Sequence, residues 1–396
     1  MPDAYDFWAA RITSRQAALI DEFWLRFGDI RSRIERHFRG YAPNVNPDAE
    51  IAGVLGGLSD DLACDFEVDT HGGLTLVISA ELRHSRRPLA RAALARGPEF
   101  PSWRFSDLRA PIADLSEAVQ AIRRRSRADR IELSGIETRR GAHRMIDLGA
   151  RGNGDGDFLG DQAGIVFSVL LGEEADQDWL GEVVSEPPSS SIRMRSLLRK
   201  KADDPTLWLE LFRNEATAVI AELREERPER PYAEHRMRVE HMASFRLRPT
   251  PGDRARRRDA LLYQSRDPKL VAARLAGARI SGRRFSRFGE IPCGVKIRRG
   301  SPTLAEPEDI ASLGMAVEHA LMEAGVGGLT GRASGLEHSY LDVALQHLER
   351  GIDVLRDVLT EEGIVTPTWL IFDEAGLEDC YHPLMPQTQP TPMDEP

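Results

Sequence analysis

Apolar positions recur at three- and four-residue steps along the start of the chain: Trp8, Ile12, Leu19, Phe23, Phe27, Ile30 and Ile34. This spacing predicts one amphipathic helix with a gap at Gln16, and its aromatic side chains suit packing across a sheet. Gly40, Pro43 and Pro47 end the pattern. Strict alternation follows. Leu62, Cys64, Phe66 and Val68 form one half-buried strand, and Leu74, Leu76, Ile78 and Leu82 form a second, joined at His71-Gly72-Gly73. A helix is expected over Arg87–Arg96, then a strand with Trp103 and Phe105 on one face. A second helix, DLSEAVQAIRRRSR, has Asp114 or Ser116 as its cap and Arg123–Arg125 near its negative end. A hairpin turning at Arg140-Gly141 and a short helix, GIVFSVLLGEE, close this part.

EPPSSS, residues 186–191, breaks the composition and reads as a linker. After it, Trp208, Leu211, Ala216, Ile220 and Leu223 mark a helix that ends at ERPERPY. FRLRP and ALLYQS read as strands, and DPKLVAARLAGA as a helix. The last hundred or so residues carry the clearest periodicity. IPCGVKIR is a strand. A helix with Ile310, Leu313, Val317, Leu321 and Ala324 on one face ends at Gly325. GGLTGRAS and HSYLDVALQ are strands, LERGIDVLRDVLTEEG is a helix and TWLIFD is a strand. The order β-α-β-β-α-β is that of a split βαβ, ferredoxin-like unit. The predicted fold class is therefore multidomain α+β, with antiparallel and mixed sheets covered by helices and a C-terminal ferredoxin-like βαββαβ module. The expected divisions are an α+β domain over 1–185, a helix-containing middle region over 186–284 and the ferredoxin-like domain over 285–380. A disordered tail rich in Pro, Gln and Thr is expected over 381–396.

Composition narrows the functional classes. The net charge of −10 disfavours a chain whose main task is coating nucleic acid or anionic membrane. Of the 53 basic residues only Lys200, Lys201, Lys269 and Lys296 are lysines. A GC-rich codon bias accounts for this; the alternative is selection for bidentate anion contacts, which Arg makes and Lys does not. Cys64, Cys293 and Cys380 are odd in number and far apart. They suggest neither a disulfide framework nor a zinc site, and fit a reducing cytoplasm. MPDAYDFWAARITSR lacks the basic start and apolar run of a secretory signal, and no window is apolar enough to span a membrane.

Five glycines, at 325, 327, 328, 331 and 335, invite a phosphate-loop reading. A P-loop needs a lysine that is absent here, and the GxGxxG spacing fails at Thr330. The expected role is a helix stop at Gly325, with close backbone approach in the strand and hairpin that follow. An anion held at Gly331–Gly335 beside Arg332 is the weaker alternative. Asn153, Asp155 and Asp157 have the first three spacings of an EF-hand loop, but Phe158 and Gly164 occupy the positions that need Gly and Glu. An acidic helix cap is expected instead. His235 and His241 do not share a helix face, His338 and His347 flank one strand, and HExxH and GxSxG are absent. Cys64 and Cys293 read as core. Cys380 beside His382 is a weak candidate nucleophile. The arginine runs at 123–130, 195–201 and 254–258 read as solvated faces rather than a nucleic-acid surface.

The segment GGLTGRASGLEHSYLDVAL and the amphipathic helix after it resemble a bacterial module in which a glycine-rich strand precedes a Tyr-bearing strand in a ferredoxin-like plait. IVFSVLLGEEADQDWLGEVV is similar to a bacterial pattern in which a helix ends in LGE and an acidic residue, before a Trp-containing strand. Together these stretches cover about half the chain. The resemblance implies a bacterial cytoplasmic protein and carries over no functional residue. The expected function is a non-catalytic protein-binding, regulatory or immunity-like factor with no cofactor and no metal. Its partner is expected to be a protein, self-association staying open, and Arg332, His338, Tyr340 and Asp342 are the candidate interaction residues. The first alternative is a nucleic-acid regulator acting through Arg254, Arg256, Arg257 and Arg258. The second is an enzyme whose site assembles from distant residues, with Asp155, Asp157, His338 and Asp342 as the positions to inspect.

Overall fold

A computed structural model of the chain describes residues 4–68, 73–81, 83–152, 155–185, 205–236, 241–249, 257, 259–300 and 307–389. It is a mixed α+β protein whose contacts divide it into two compact units. One comprises residues 12–226, and the other residues 1–11 together with 227–396. Composition had suggested divisions at 185 and 284; packing places them at 11 and 226.

The first amphipathic stretch is two helices, α1 (Ala4–Ala9) and α2 (Ser14–Phe38). The gap at Gln16 has a physical meaning. Thr13 accepts from the Gln16 backbone N–H at 3.2 Å while the Gln16 side chain accepts from the Thr13 backbone N–H at 2.9 Å. This reciprocal capping box starts a new helix at the break.

In the 12–226 unit, α2 buries Ile20, Phe23, Trp24, Phe27, Ile30 and Ile34. Behind it come α3 (Pro47–Leu55), β1 (Ala63–Val68), β2 (Leu74–Ser79), α4 (Arg87–Ala95) and β3 (Trp103–Ser106). The three strands form a sheet in the order β1-β2-β3, antiparallel and then parallel. The α2 aromatics meet it edge-on, with Trp24 and Phe105 ring centroids 4.8 Å apart and Phe27 and Trp103 5.1 Å apart. Next, α5 (Leu115–Ser126) is capped by Asp114, whose carboxylate accepts from the Glu117 N–H at 2.8 Å. A second sheet, β4 (Leu133–Arg140), β5 (Ile146–Gly152) and β6 (Leu180–Ser185), keeps chain order. Between its last two strands lie α6 (Gly156–Leu171) and α7 (Glu173–Trp179). Trp179 therefore closes a helix rather than sitting in a strand, and is buried with Glu173. The helix α8 (Pro205–Glu225) packs Phe212 on Phe167 and shares the core of this second sheet. The linker expected at 186–191 lies outside the described residues.

In the other unit, seven described strands form one sheet. They are β7 (Ala243–Arg246), β8 (Ala260–Ser265), β9 (Ile291–Arg298), β10 (Gly327–Gly335), β11 (His338–Leu345), β12 (Thr368–Phe372) and β13 (Tyr381–Pro383). Their order is β13-β12-β9-β11-β10-β8-β7, antiparallel throughout. The α-helices described in this unit after α1 are α9 (Pro268–Leu275), α10 (Gly282–Phe285), α11 (Pro307–Glu323) and α12 (Leu348–Glu361). α11 connects β9 to β10, and α12 connects β11 to β12. Leu341, Val343 and Leu345 of β11 join Cys293, Val295 and Ile297 of β9 in the core beneath α11, α12 and α1. Alternation then sends His338, Tyr340 and Asp342 to the opposite side. Every residue of β11 is buried, so both sides of the sheet centre are covered.

The tail departs from expectation. Residues 381–389 are ordered rather than disordered: β13 pairs with β12, and Leu384 and Met385 are buried. Thr388 Oγ1 accepts from the Thr368 N–H at 2.9 Å, and Gln389 O from Trp369 Nε1 at 2.8 Å. These bonds satisfy the sheet edge that a polar tail would otherwise leave open. No described helix is long and apolar enough to cross a membrane.

Candidate functional site

The polar side of the seven-stranded sheet is built in rows. Register places Tyr263, Ala333, Tyr340, Lys296 and Trp369 opposite one another across β8, β10, β11, β9 and β12. The neighbouring row runs Gly331, Asp342, Gly294, Ile371 and Tyr381. Asp342 thus stands between two glycines, where the missing side chains leave room above the sheet. A Cβ on Gly294 would collide with the Arg257 guanidinium, so that glycine is the floor on which Arg257 lies.

Two arginines and two aspartates fill this space. Arg274 comes from α9, whose N-cap Asp267 accepts from the Leu270 N–H at 3.0 Å. Asp373 follows β12 directly. Arg257 Nη1 donates to Asp373 Oδ1 at 2.7 Å, and its Nη2 lies 2.9 Å from Asp342 Oδ1. Arg274 donates to Asp373 through Nε at 3.0 Å and Nη2 at 2.5 Å, and to Asp342 Oδ2 through Nη1 at 2.9 Å. The Tyr263 hydroxyl donates to Asp342 and accepts from Arg274. All of these residues are buried, Asp342 to 2% exposure. Charge balance, two positive and two negative, is what makes such burial tolerable. Burial pushes the Asp342 carboxyl upward against the pull of Arg257. Burial also opposes ionisation of Asp373, but Arg257 and Arg274 outweigh it and hold that carboxyl below its ordinary range. Burial, with Arg257 as a like charge nearby, lowers Arg274 to about 10.

A second cluster closes the β10–β11 hairpin. Asp259 Oδ2 accepts from the Glu337 and His338 backbone N–H groups at 3.1 and 3.0 Å, and Oδ1 accepts from the Tyr340 hydroxyl. Burial opposes its ionisation. The His338 ring 3.6 Å away, the Tyr340 hydroxyl and the backbone donors prevail and pull the carboxyl down to about 2. A Cβ on Gly335 would lie 2.5 Å from Asp259 Oδ2, which explains one glycine of the run. Gly325, at φ +64°, follows α11 in the left-handed region. Burial lowers the His338 pKa despite Asp259. Lys296 is fully buried, its Nζ 5.6 Å from the Tyr381 ring centroid.

His338, Tyr340 and Asp342 are brought together on one side of the sheet. Arg332 is not: it pairs in register with Leu341 and Gln264, so it lies on the side that carries α11 and α12. There its Nε donates to Gln264 Oε1 at 2.7 Å. Asp155 and Asp157 begin α6 in the other unit, with Asp155 at the N-cap position. Arg257, taken from sequence as part of a basic run, is a buried ion-pair member; Arg254, Arg256 and Arg258 lie outside the described residues. Cys380 and His382 form no nucleophilic pair. Burial, with Asp379 and Glu378 nearby, raises the thiol to about 11, and Arg356 Nη2 sits 2.9 Å from His382 Nε2. Burial raises Cys64 to about 12 and raises Cys293 as well, so neither thiol is activated; Cys293 is a core group and Cys64 is half-buried on β1.

Asp259, Tyr263, Arg274, Lys296 and Asp373 escaped the sequence reading. Lys296 left a signal: one of four lysines, set inside an alternating apolar strand. A general acid or base has to reach a substrate proton. Here the ionised groups are aimed at one another and sealed, and what they do is tie Arg257, α9 and the end of β12 to the sheet centre. Comparison of the chain with protein-family models, with curated proteins and with solved structures finds no match.

Proposed function

We propose that this chain is a non-catalytic protein-binding factor of regulatory or immunity-like type, acting in the cytoplasm. The observation that carries this reading is the sealed, charge-balanced quartet of Arg257, Arg274, Asp342 and Asp373. It turns the most polar region of the sheet into a structural lock. The antiparallel order β12-β9-β11-β10, with α11 and α12 as the two crossovers, supports a ferredoxin-like plait extended at both edges. Its binding surface is the other side of β7, β8 and β10. Register aligns Ser244 with Gln264 and Arg332, and Arg246 with Leu262. Ser244, Arg246 and Leu262 are exposed. The three free cysteines suit a reducing compartment.

The test is capture of partners by the tagged full-length chain from its native host after nuclease treatment, compared with an Arg332→Glu, Leu262→Glu variant. The expected result is a stoichiometric protein that the variant loses. Capture that disappears with nuclease, or that the variant retains unchanged, overturns the reading.

A further inference from the structure

The first residues of the chain fold onto the C-terminal unit, although the 12–226 unit separates them from it in sequence. α1 is only six residues long. Isolated helices of that length do not persist in water, so tertiary contacts hold it. Ala4, Tyr5 and Phe7 are buried, and the Tyr5 hydroxyl donates to Ala375 O at 2.8 Å. Phe7 meets Phe372 at a centroid distance of 5.8 Å and stands edge-on to the His382 ring at 5.2 Å. Trp8 packs on Phe372 at 5.7 Å, and its buried Nε1–H finds no acceptor among the described residues. Docking α1 thus leaves an unsatisfied donor, which works against the docked state.

His382 lies beneath this helix in an unusual charge setting. Arg356, from α12, brings Nη2 to 2.9 Å from its Nε2. A guanidinium only donates, so that nitrogen must accept and the ring must be neutral. Arg11, just after α1, lies with its guanidinium carbon 3.5 Å from the Phe7 ring centroid. Just after α1 the charged group acting on His382 is Arg11, from α12 it is Arg356 with Asp353 at 3.4 Å from that guanidinium, and on its own strand Tyr381 is the adjacent titratable group. β12 contributes Leu370 and Phe372, which carry no charge.

We propose that α1 is an acid-released latch on the C-terminal unit: protonation of His382 between Arg356 and Arg11 ejects it. The imidazolium loses its bond from Arg356 and places a third positive charge beneath Phe7. Release frees residues 4–11 from the unit they share with residues 227–396. The sign is set by burial, Arg356 and Arg11, which lower the docked His382 from 6.5 to about 4. A group whose folded pKa is depressed in this way favours the undocked state on protonation. Only the share of this depression that α1 supplies, through burial and Arg11, is linked to docking, so the latch is fully docked above the free-ring value near 6.5 and weakens as pH falls toward 4.

The experiment uses the full-length chain labelled with 5-fluorotryptophan, the Trp8 resonance being assigned with Trp8→Phe, and circular dichroism tracking the global fold. Between pH 6.5 and 4 the Trp8 signal is expected to move to its free position while the other resonances and the dichroism hold. His382→Phe, which keeps the packing and removes the titration, is expected to stay docked. Arg356→Met, which removes a charge that lowers His382 whether or not α1 is docked, is expected to move release to higher pH. A Trp8 signal that stays docked to pH 4 overturns the proposal. So does release in His382→Phe over the same range, or an unchanged titration in Arg356→Met should the Phe variant fail to fold.

Discussion

Asp373→Asn isolates the quartet in one atom. The carboxylate takes two bonds from Arg274, at 3.0 and 2.5 Å, and two from Arg257, at 2.7 and 3.4 Å. The amide keeps the shape and removes the charge, leaving two buried guanidiniums facing only Asp342. Breaking a buried pair in this way costs about 3–5 kcal/mol, because an uncompensated charge stays in the interior. For a domain of this size each kcal/mol is worth roughly 2–4 °C, so the melting transition of the C-terminal unit should fall by about 6–20 °C. Differential scanning calorimetry measures it, and hydrogen exchange in β11 and β12 assigns the loss to this sheet. Adding Arg274→Met restores one positive charge against one negative, Arg257 with Asp342. The double variant is therefore expected to be more stable than Asp373→Asn alone. A single-variant loss under about 1 kcal/mol, or a double variant in which the two losses simply add, would refute the charge-balance reasoning.

Gly294→Ala drives a methyl into the Arg257 guanidinium and should cost about 1–3 kcal/mol in urea unfolding. In an Arg257→Met background most of that extra cost should vanish, and persistence of the full cost would place the clash elsewhere. Asp259 has a folded pKa of about 2, depressed from 3.8, so its contribution is present above the unfolded value and is lost as pH falls from about 4 to 2. Asp259→Asn should flatten the stability profile in that window by up to about 1.4 kcal/mol per pH unit, and an unchanged slope would remove Asp259 from the hairpin lock. Arg332→Ala, half-buried with one bond to Gln264, should change stability by less than about 0.5 kcal/mol while weakening partner capture. A large stability loss would make it structural instead.

The helices and strands were legible because their signal is local. Asp114 caps α5 where its sequence position suggested, and the alternation of HSYLDVAL sorts Leu341, Val343 and Leu345 from Tyr340 and Asp342. The break between α1 and α2 was missed: the periodicity continues past a gap at Gln16 as if through one helix, and only the capping box at Thr13 and Gln16 shows that a second helix starts there. Arg332 illustrates the limit. It shares a motif with Asp342, yet a bulge between Leu329 and Gly331 and the register beyond it set it on the other side of the sheet.

Sequence by itself determined which positions face a core, where most elements begin and end, and that no familiar metal, phosphate or nucleophile motif is present. Periodicity reports burial, and burial is a property each segment carries alone. Only the tertiary structure decided which charges meet. Arg257 reaches Asp373 across 116 positions, and α1 joins a unit whose remainder begins at residue 227. A buried charge needs an opposite partner, but its own segment does not say which distant segment supplies it. That choice is made by strand order and register, the features through which the whole chain acts at once.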